Sequence, residues 1–307
     1  MTKLRLGTPS AAAPSLVVPL TKDAGLYQKY GLEGEVQVVE GAKNLLAGMF
    51  NGELPITYQG SPEVINAALG GADVVMFAGA INTIFFSIYT RPDVTDAQQL
   101  KGKKIGYTFG GNDEAGAKLA LTHLGLRVPQ DISPVNMAGG QAARIAGLQN
   151  GSVDAISIAP PFTFEAKRLG LKELINVADL KVEYQSGTFA TTRSYLRNNR
   201  DVVVRFTKAI SEGLKFMRTN KEASIKSLAD YTKTTDREVL EQSWDAFANR
   251  YYNKVPKLTK PGLQYVMDNQ ITEPAVKSKK PEDFIDESVI QQLESEGFFR
   301  QLWEEDV

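Results

Sequence analysis

Along its first two thirds the chain repeats one local pattern: a short apolar strand, a turn built from Gly, Ser, Asn or Pro, and a helix that stops at Gly. Leu4 to Thr8 opens the series, Ser10 to Pro14 form its turn, and Leu16, Leu20, Ala24 and Tyr27 recur at helical spacing until Gly31. Pro14 suits a first helical turn. Glu35 to Val39 begins the second round, whose short helix carries Leu45, Leu46, Met49 and Phe50 and stops at Gly52. Pro55 to Tyr58 is the third strand. In Gly60-Ser61-Pro62-Glu63 behind it, Ser61 reads as the N-cap, Pro62 as the first helical residue and Glu63 as a partner of the helix dipole.

Val74 to Phe77 and Phe85 to Tyr89 are apolar enough for central strands. The rhythm then resumes with Lys104 to Phe109 leading into Gly110-Gly111-Asn112-Asp113, Asp131 to Asn136 into Ala138-Gly139-Gly140, and Val153 to Ile158 into Ala159-Pro160-Pro161. Strands alternating with helices imply a mainly parallel sheet covered on both faces, with ligands beyond the carboxyl ends of the strands. At 307 residues the chain is long for one core. The expectation is an α/β protein of two lobes, residues 1–89 plus 192–307 and residues 90–191, joined by two hinge strands near Phe85 to Tyr89 and Phe189 to Arg193. Beyond the second crossing the pattern is helical: Val203, Phe206, Ile210, Leu214 and Met217 mark one face of a helix over 202–219, with further helices over 223–231 and 238–252.

Composition removes several classes of function. Lys+Arg 35 against Asp+Glu 36 gives a net charge of -1, without the basic excess of a nucleic-acid binder. With Cys 0 there is no disulfide, thiolate nucleophile or cysteine-bound metal. His123 is the single histidine, late in a helix, so no histidine pair exists for a metal; no Gly-x-Ser-x-Gly elbow and no phosphate loop appear either. No cofactor is expected. Apolar runs such as Val74 to Ile81 fall far short of the roughly 20 residues that span a bilayer. Met1 is followed almost at once by the strand-like Lys3 to Gly7, without the order of a signal peptide; either the protein is cytoplasmic or a leader has been removed and a start Met supplied.

Four stretches carry a resemblance: Asp23-Ala24-Gly25-Leu26-Tyr27 with Gly31-Leu32-Glu33-Gly34-Glu35-Val36; Leu100-Lys101-Gly102-Lys103-Lys104-Ile105-Gly106; Leu148-Gln149-Asn150-Gly151-Ser152-Val153-Asp154-Ala155; and Asp283-Phe284-Ile285-Asp286. In this order they resemble the nitrate, sulfonate, taurine and pyrimidine-precursor (NMT1/THI5-like) branch of periplasmic solute-binding proteins. Asn51-Gly52-Glu53-Leu54-Pro55 departs from the family's usual strand opening. The resemblance implies a type II periplasmic-binding fold with a central cleft, a small-molecule ligand (sulfonate, carboxylate, nitrate-like anion or pyrimidine-type ring), an ABC permease as partner, a periplasmic or other extracytoplasmic location and a monomer without catalysis.

It also implies that the cleft is lined by Ser10; by Tyr58, Gln59, Gly60 and Ser61; by Asn82; by Gly110, Gly111 and Asn112; by Gly139; by Pro160 and Phe162; and by Gly187 and Thr188. Backbone N–H groups at these helix starts are expected to hold an anion without a buried Lys or Arg, since side-chain cations are scarce there. Each residue also has a plainer reading. Ser61 can be only a cap, Tyr58 and Phe162 only core, and Asp113 and Glu114 only partners of a helix dipole. The competing function is an enzyme on the same fold acting on a small aromatic or heterocyclic acid. One such relative, a desulfinase, needs a nucleophilic Cys that this chain lacks.

Overall fold

The computed structural model describes residues 1–109, 111–137 and 139–304. The chain forms two compact units, Met1–Asn82 with Glu183–Val307, and Thr83–Val182. The first stretch runs β1 (Thr2–Thr8), α1 (Val17–Asp23), α2 (Leu26–Lys29), β2 (Leu32–Val38), α3 (Ala42–Phe50), β3 (Ile56–Gly60), α4 (Ser61–Leu69) and β4 (Val75–Ile81). The single helix expected between Leu16 and Tyr27 is broken in two because Gly25 adopts a left-handed φ of 70°, a conformation open to Gly and costly for other residues.

The second unit contains β5 (Ser87–Thr90), β6 (Lys104–Tyr107), α5 (Gly111–His123), β7 (Ser133–Asn136), α6 (Gly140–Gln149), β8 (Ala155–Ile158), α7 (Phe162–Arg168) and β9 (Lys172–Asn176). The chain then returns through β10 (Gly187–Thr191) to a helical region: α8 (Arg193–Asn198), α9 (Arg200–Thr219), α10 (Lys221–Thr232), α11 (Arg237–Asp245) and α12 (Lys260–Asn269). A π-helical turn, Ala246–Tyr251, follows α11.

Among the described residues each unit has one five-stranded sheet, ordered β2-β1-β3-β10-β4 and β7-β6-β8-β5-β9. The sheets are mainly parallel, as expected, with one antiparallel strand apiece: β10 lies between β3 and β4, and β5 between β8 and β9. These are the strands that follow each crossing, and they correct the expected boundaries. A strand must pair both of its backbone edges when buried, and each does so with the sheet it enters. Ser87–Thr90 therefore belongs to the second unit and Gly187–Thr191 to the first, so both crossings lie earlier in the chain than 89/90 and 191/192.

The first unit is covered by α9, whose buried face of Val203, Phe206, Ile210, Leu214 and Met217 matches the sequence periodicity. Phe206 stacks on Tyr27 at 6.1 Å and meets Phe189 edge-on at 5.3 Å. Gly213 lets α9 approach α1: a Cβ there would collide with Thr21 Oγ1, which is fixed by its 2.6 Å bond to Val17 O. The core of the second unit is made by Tyr89, Ile145, Leu148, Val153, Ile156, Ile158, Ala166 and Leu171, with Phe162 packed against it.

Candidate functional site

In the first unit the expected residues meet at the carboxyl ends of β1 and β3. Gly187 pairs with Gly60 and Thr188 with Gln59 across the β10–β3 ladder, so four of them are neighbours by register. Thr188 Oγ1 donates to Gln59 O at 3.0 Å. Ser61 is the first residue of α4 and not its cap: its hydroxyl donates to Gln185 O at 2.6 Å, and Gly60 stands at the cap position without a side-chain bond. Gly187 must be glycine, because a Cβ there would run into the Tyr58 hydroxyl.

Tyr58 is buried, with its ring 5.0 Å from Phe189, and its hydroxyl has no well-formed partner among the described residues. Burial first, and the neighbouring Tyr252 second, push its pKa well above the ordinary range. Tyr252 donates to Pro14 O at 2.6 Å and accepts from Val17 N at 3.3 Å, so it pins the turn after β1. Tyr231 does the same for Ser10, donating to its carbonyl at 2.9 Å while lying 2.8 Å from Thr8 Oγ1. Ser10 itself is exposed.

Residues 252–259 strap the end of β4: Asn253 N donates to Ala80 O at 2.8 Å, Gly79 N to Pro256 O at 2.9 Å, and Thr259 N to Gln185 Oε1 at 2.9 Å. Asn82 Nδ2 donates to Lys257 O at 3.2 Å, while its Oδ1 and Gln59 Oε1 are buried without partners among the described residues. Glu63 Oε2 and Tyr184 Oη share that condition. Burial raises the Glu63 carboxyl above its usual range.

The second unit is organised by a residue that sequence reasoning passed over. Arg144, in the first half of α6, is 3% exposed. Its guanidinium meets Asp113 Oδ2 at 2.6 Å, Ser157 O at 2.7 Å and Thr108 Oγ1 at 2.5 Å. Asp113 Oδ2 in turn accepts from Thr108 N at 3.1 Å. The ends of β6 and β8 and the start of α5 are thus tied to one buried cation. Burial raises the Asp113 carboxyl, and Arg144 opposes the rise. The Ser157 hydroxyl also hydrogen-bonds the Asp113 carboxyl, while Arg144 Nε, and Thr163 Oγ1 in the first turn of α7, lack partners among the described residues.

Asn112 sits in the first turn of α5 behind Gly111, and Gly139 is the N-cap of α6. Gly110 lies outside the described residues. Pro160 is buried, and Phe162, the first residue of α7, packs on the core. His123 is exposed at the end of α5.

The turns differ from expectation in what they offer. Helix starts were expected to present free N–H groups, but Ala159 N is taken by Gln141 Oε1 at 2.6 Å, Pro160 and Pro161 have none, and Phe162 N bonds Ala159 O. At α1, Ser15 N and Leu16 N bond backbone carbonyls and Val17 N bonds Tyr252. Pro62 removes one N–H from α4. The scarcity of cations is corrected too, since Arg144 is buried at the site, though committed to Asp113.

Two α/β units, joined by two crossings and each taking one returning antiparallel strand, have the fold of the periplasmic binding proteins. The chain belongs to the NMT1/THI5 like family, whose profile matches residues 17–224. A candidate binding protein, YtlA of Bacillus subtilis (strain 168), is 24% identical over 266 residues, covering 81% of this chain and 78% of that one. The periplasmic aliphatic sulphonate binding protein SsuA from Escherichia coli superposes with a TM-score of 0.78 at 22% identity, over 93% of this chain and 92% of its own. The desulfurization enzyme DSZB superposes with a TM-score of 0.70 at 14% identity, over 96% and 99%. At these identities the structural likenesses show the fold.

Proposed function

We propose that this chain is the solute-binding receptor of an ABC-type importer, taking a small polar molecule on its strand-to-helix turns and handing it unchanged to a membrane permease. The observation that carries the reading is that each unit holds buried polar atoms without partners among the described residues near its strand ends and helix starts: Gln59 Oε1 and Asn82 Oδ1 in one, Arg144 Nε and Thr163 Oγ1 in the other. Native proteins satisfy such atoms, and a bound solute supplies the missing partners. Family membership and the named binding proteins support the same reading. No helix among the described residues is long and apolar enough to cross a membrane. The DSZB likeness keeps an enzyme as the rival, and with Cys 0 this chain has no thiol nucleophile to offer one.

The test is a thermal melt of the full chain against small solutes, followed by recovery of the solute. A ligand at about 100 times its Kd stabilises the folded state by roughly 2.7 kcal/mol, a rise of several degrees for a chain of this size. It should be recovered intact after long incubation. Turnover of the stabilising solute would replace the receptor by an enzyme.

A further inference from the structure

If the receptor reading holds, the turn between β1 and α1, which carries Ser10, lines the solute site, and how firmly it is held beforehand decides the ordering that binding must supply. The turn does only part of the holding itself. Within it Ser15 N donates to Ala12 O and Leu16 N to Ala13 O, while the first amide of α1, Val17 N, finds its acceptor in the Tyr252 hydroxyl at 3.3 Å. The same hydroxyl donates to Pro14 O at 2.6 Å. One phenol thus fixes the end of the turn on both sides of Ser15.

Tyr252 is in turn held from further away. Its amide donates to Phe247 O at 3.0 Å, and its carbonyl accepts from Arg218 Nη2. Arg218, in the last turn of α9, also gives Nη1 to Leu214 O at 3.0 Å, and it pairs with no carboxylate among the described residues. What faces its guanidinium is the ring of Trp303, with the centroid 5.4 Å away, at the end of the last helix, Phe298–Trp303. A guanidinium over an indole face is attracted to it, and more strongly as water is excluded. Burial draws the Arg218 pKa down to about 10, which leaves it charged at neutral pH. Lys215 Nζ bonds Leu302 O at 2.7 Å and so ties the end of that helix to α9. Trp303 Nε1 is buried without a partner among the described residues, so the ring contributes its face and not its N–H.

We infer that Trp303 is a positioning residue for the turn after β1: its ring holds the Arg218 guanidinium, Arg218 holds the Tyr252 carbonyl, and the Tyr252 hydroxyl holds Pro14 and Val17. Every member of this series lies in the first unit and touches the next. The end of the chain thereby sets the shape of a turn near its beginning.

Hydrogen exchange of the full chain without added solute reads the turn through the amides of Ser15, Leu16 and Val17, with the β1–β2 ladder reporting on the rest of the unit. Trp303→Leu, which removes the ring face, should speed exchange at the turn about three- to tenfold and leave the ladder unchanged. Trp303→Phe keeps an aromatic face and gives up only an unpartnered N–H, so it should restore most of the protection. Arg218→Lys keeps the charge but loses the fork that reaches Leu214 O and Tyr252 O together, and it should loosen the turn as Trp303→Leu does. Phe298→Leu, which takes away the ring beside Lys208 in the same helix, should leave the turn at its wild-type rate. In a Tyr252→Phe background Trp303→Leu should add nothing at the turn. The inference is overturned if Trp303→Leu speeds turn and ladder by the same factor, leaves the turn unchanged, or acts undiminished without the Tyr252 hydroxyl. Those outcomes leave the receptor reading standing, since that reading is decided by the melts with solute.

Discussion

The two units solve one architectural problem with different chemistry. Both bring strand ends and helix starts to one edge of a mixed sheet, and both must hold those turns in place. The first unit does so with neutral groups: Tyr252 and Tyr231 reach from the C-terminal helical region to fasten the turn after β1, while Ser61 and Thr188 bond main-chain carbonyls. The second uses one buried ion pair, Arg144 with Asp113, as the common anchor of β6, β8 and α5. Neutral fastenings share the load over several bonds of modest strength, whereas a buried pair concentrates it, because either partner left alone is a buried charge.

The largest expected effect follows from that concentration. Arg144→Met should cost about 3–5 kcal/mol, leaving Asp113 buried and unpaired. Hydrogen exchange should show the loss of protection concentrated in residues 83–182, and adding Asp113→Leu should return part of the stability. An equal loss spread over both units would mean that the pair does not anchor the second alone.

Close packing gives the next contrast. Gly213→Ala should cost about 1–3 kcal/mol, since Thr21 is tied to Val17 O and cannot yield, and Thr21→Ala should relieve it in a double-mutant cycle. Gly106→Ala in the second unit should be milder, because the added methyl meets Met137, a flexible side chain. Chemical denaturation of the two single variants decides the order.

Tyr252→Phe should cost about 1 kcal/mol, the ordinary worth of a neutral hydrogen bond, which would make it several times gentler than the Arg144 change. The smallest effect is a pH dependence in the first unit. Burial raises the Glu63 carboxyl, so the folded state favours its protonated form. That contribution is present in full below the ordinary carboxylate pKa and fades as pH rises through the raised value. The stability of Glu63→Gln relative to wild type should therefore increase between about pH 4.5 and pH 7. A flat difference across that range would mean that Glu63 does not feel its burial.

The recurring strand, turn and helix were legible because periodicity and glycine stops are local signals, and the apolar face of α9 could be read residue by residue. What escaped had non-local causes. β9 has half-buried residues with Lys172 and Glu173 at its start, so its apolar content resembles that of a loop, and only its pairing with β5 makes it a strand. Arg144 looks like a solvated helix charge until Thr108, Asp113 and Ser157 surround it. Its signal, had it been weighed, was a cation within the first turns of a helix where the dipole disfavours one, opposite an acid in the first turn of the preceding helix. The strap over 252–259 has no periodicity at all, and a π-helical turn with Phe247, Ala248 and Tyr251 buried runs into it. Among the site residues, the glycines and Ser61 were readable as turn chemistry, but which of their N–H groups stayed free depended on Gln141, Tyr252 and the prolines acting from elsewhere.

The position of β10 also sets an order of events at the ribosome. β3 and β4 leave the exit tunnel early, yet they are never neighbours: the strand that joins them is made about a hundred residues later, at a synthesis rate of about 5–20 residues per second. For those seconds two apolar strands have open edges, and β4 is buried along its whole length in the finished protein. The strands of the stretch 83–182 have their sheet partners within it, so its sheet can form meanwhile. Nascent chains in which β10 is still inside the exit tunnel and chains in which it has just emerged should therefore differ sharply in protease resistance of the N-terminal segment, and an early-exposed β4 is the place where a chaperone would find this protein during its synthesis.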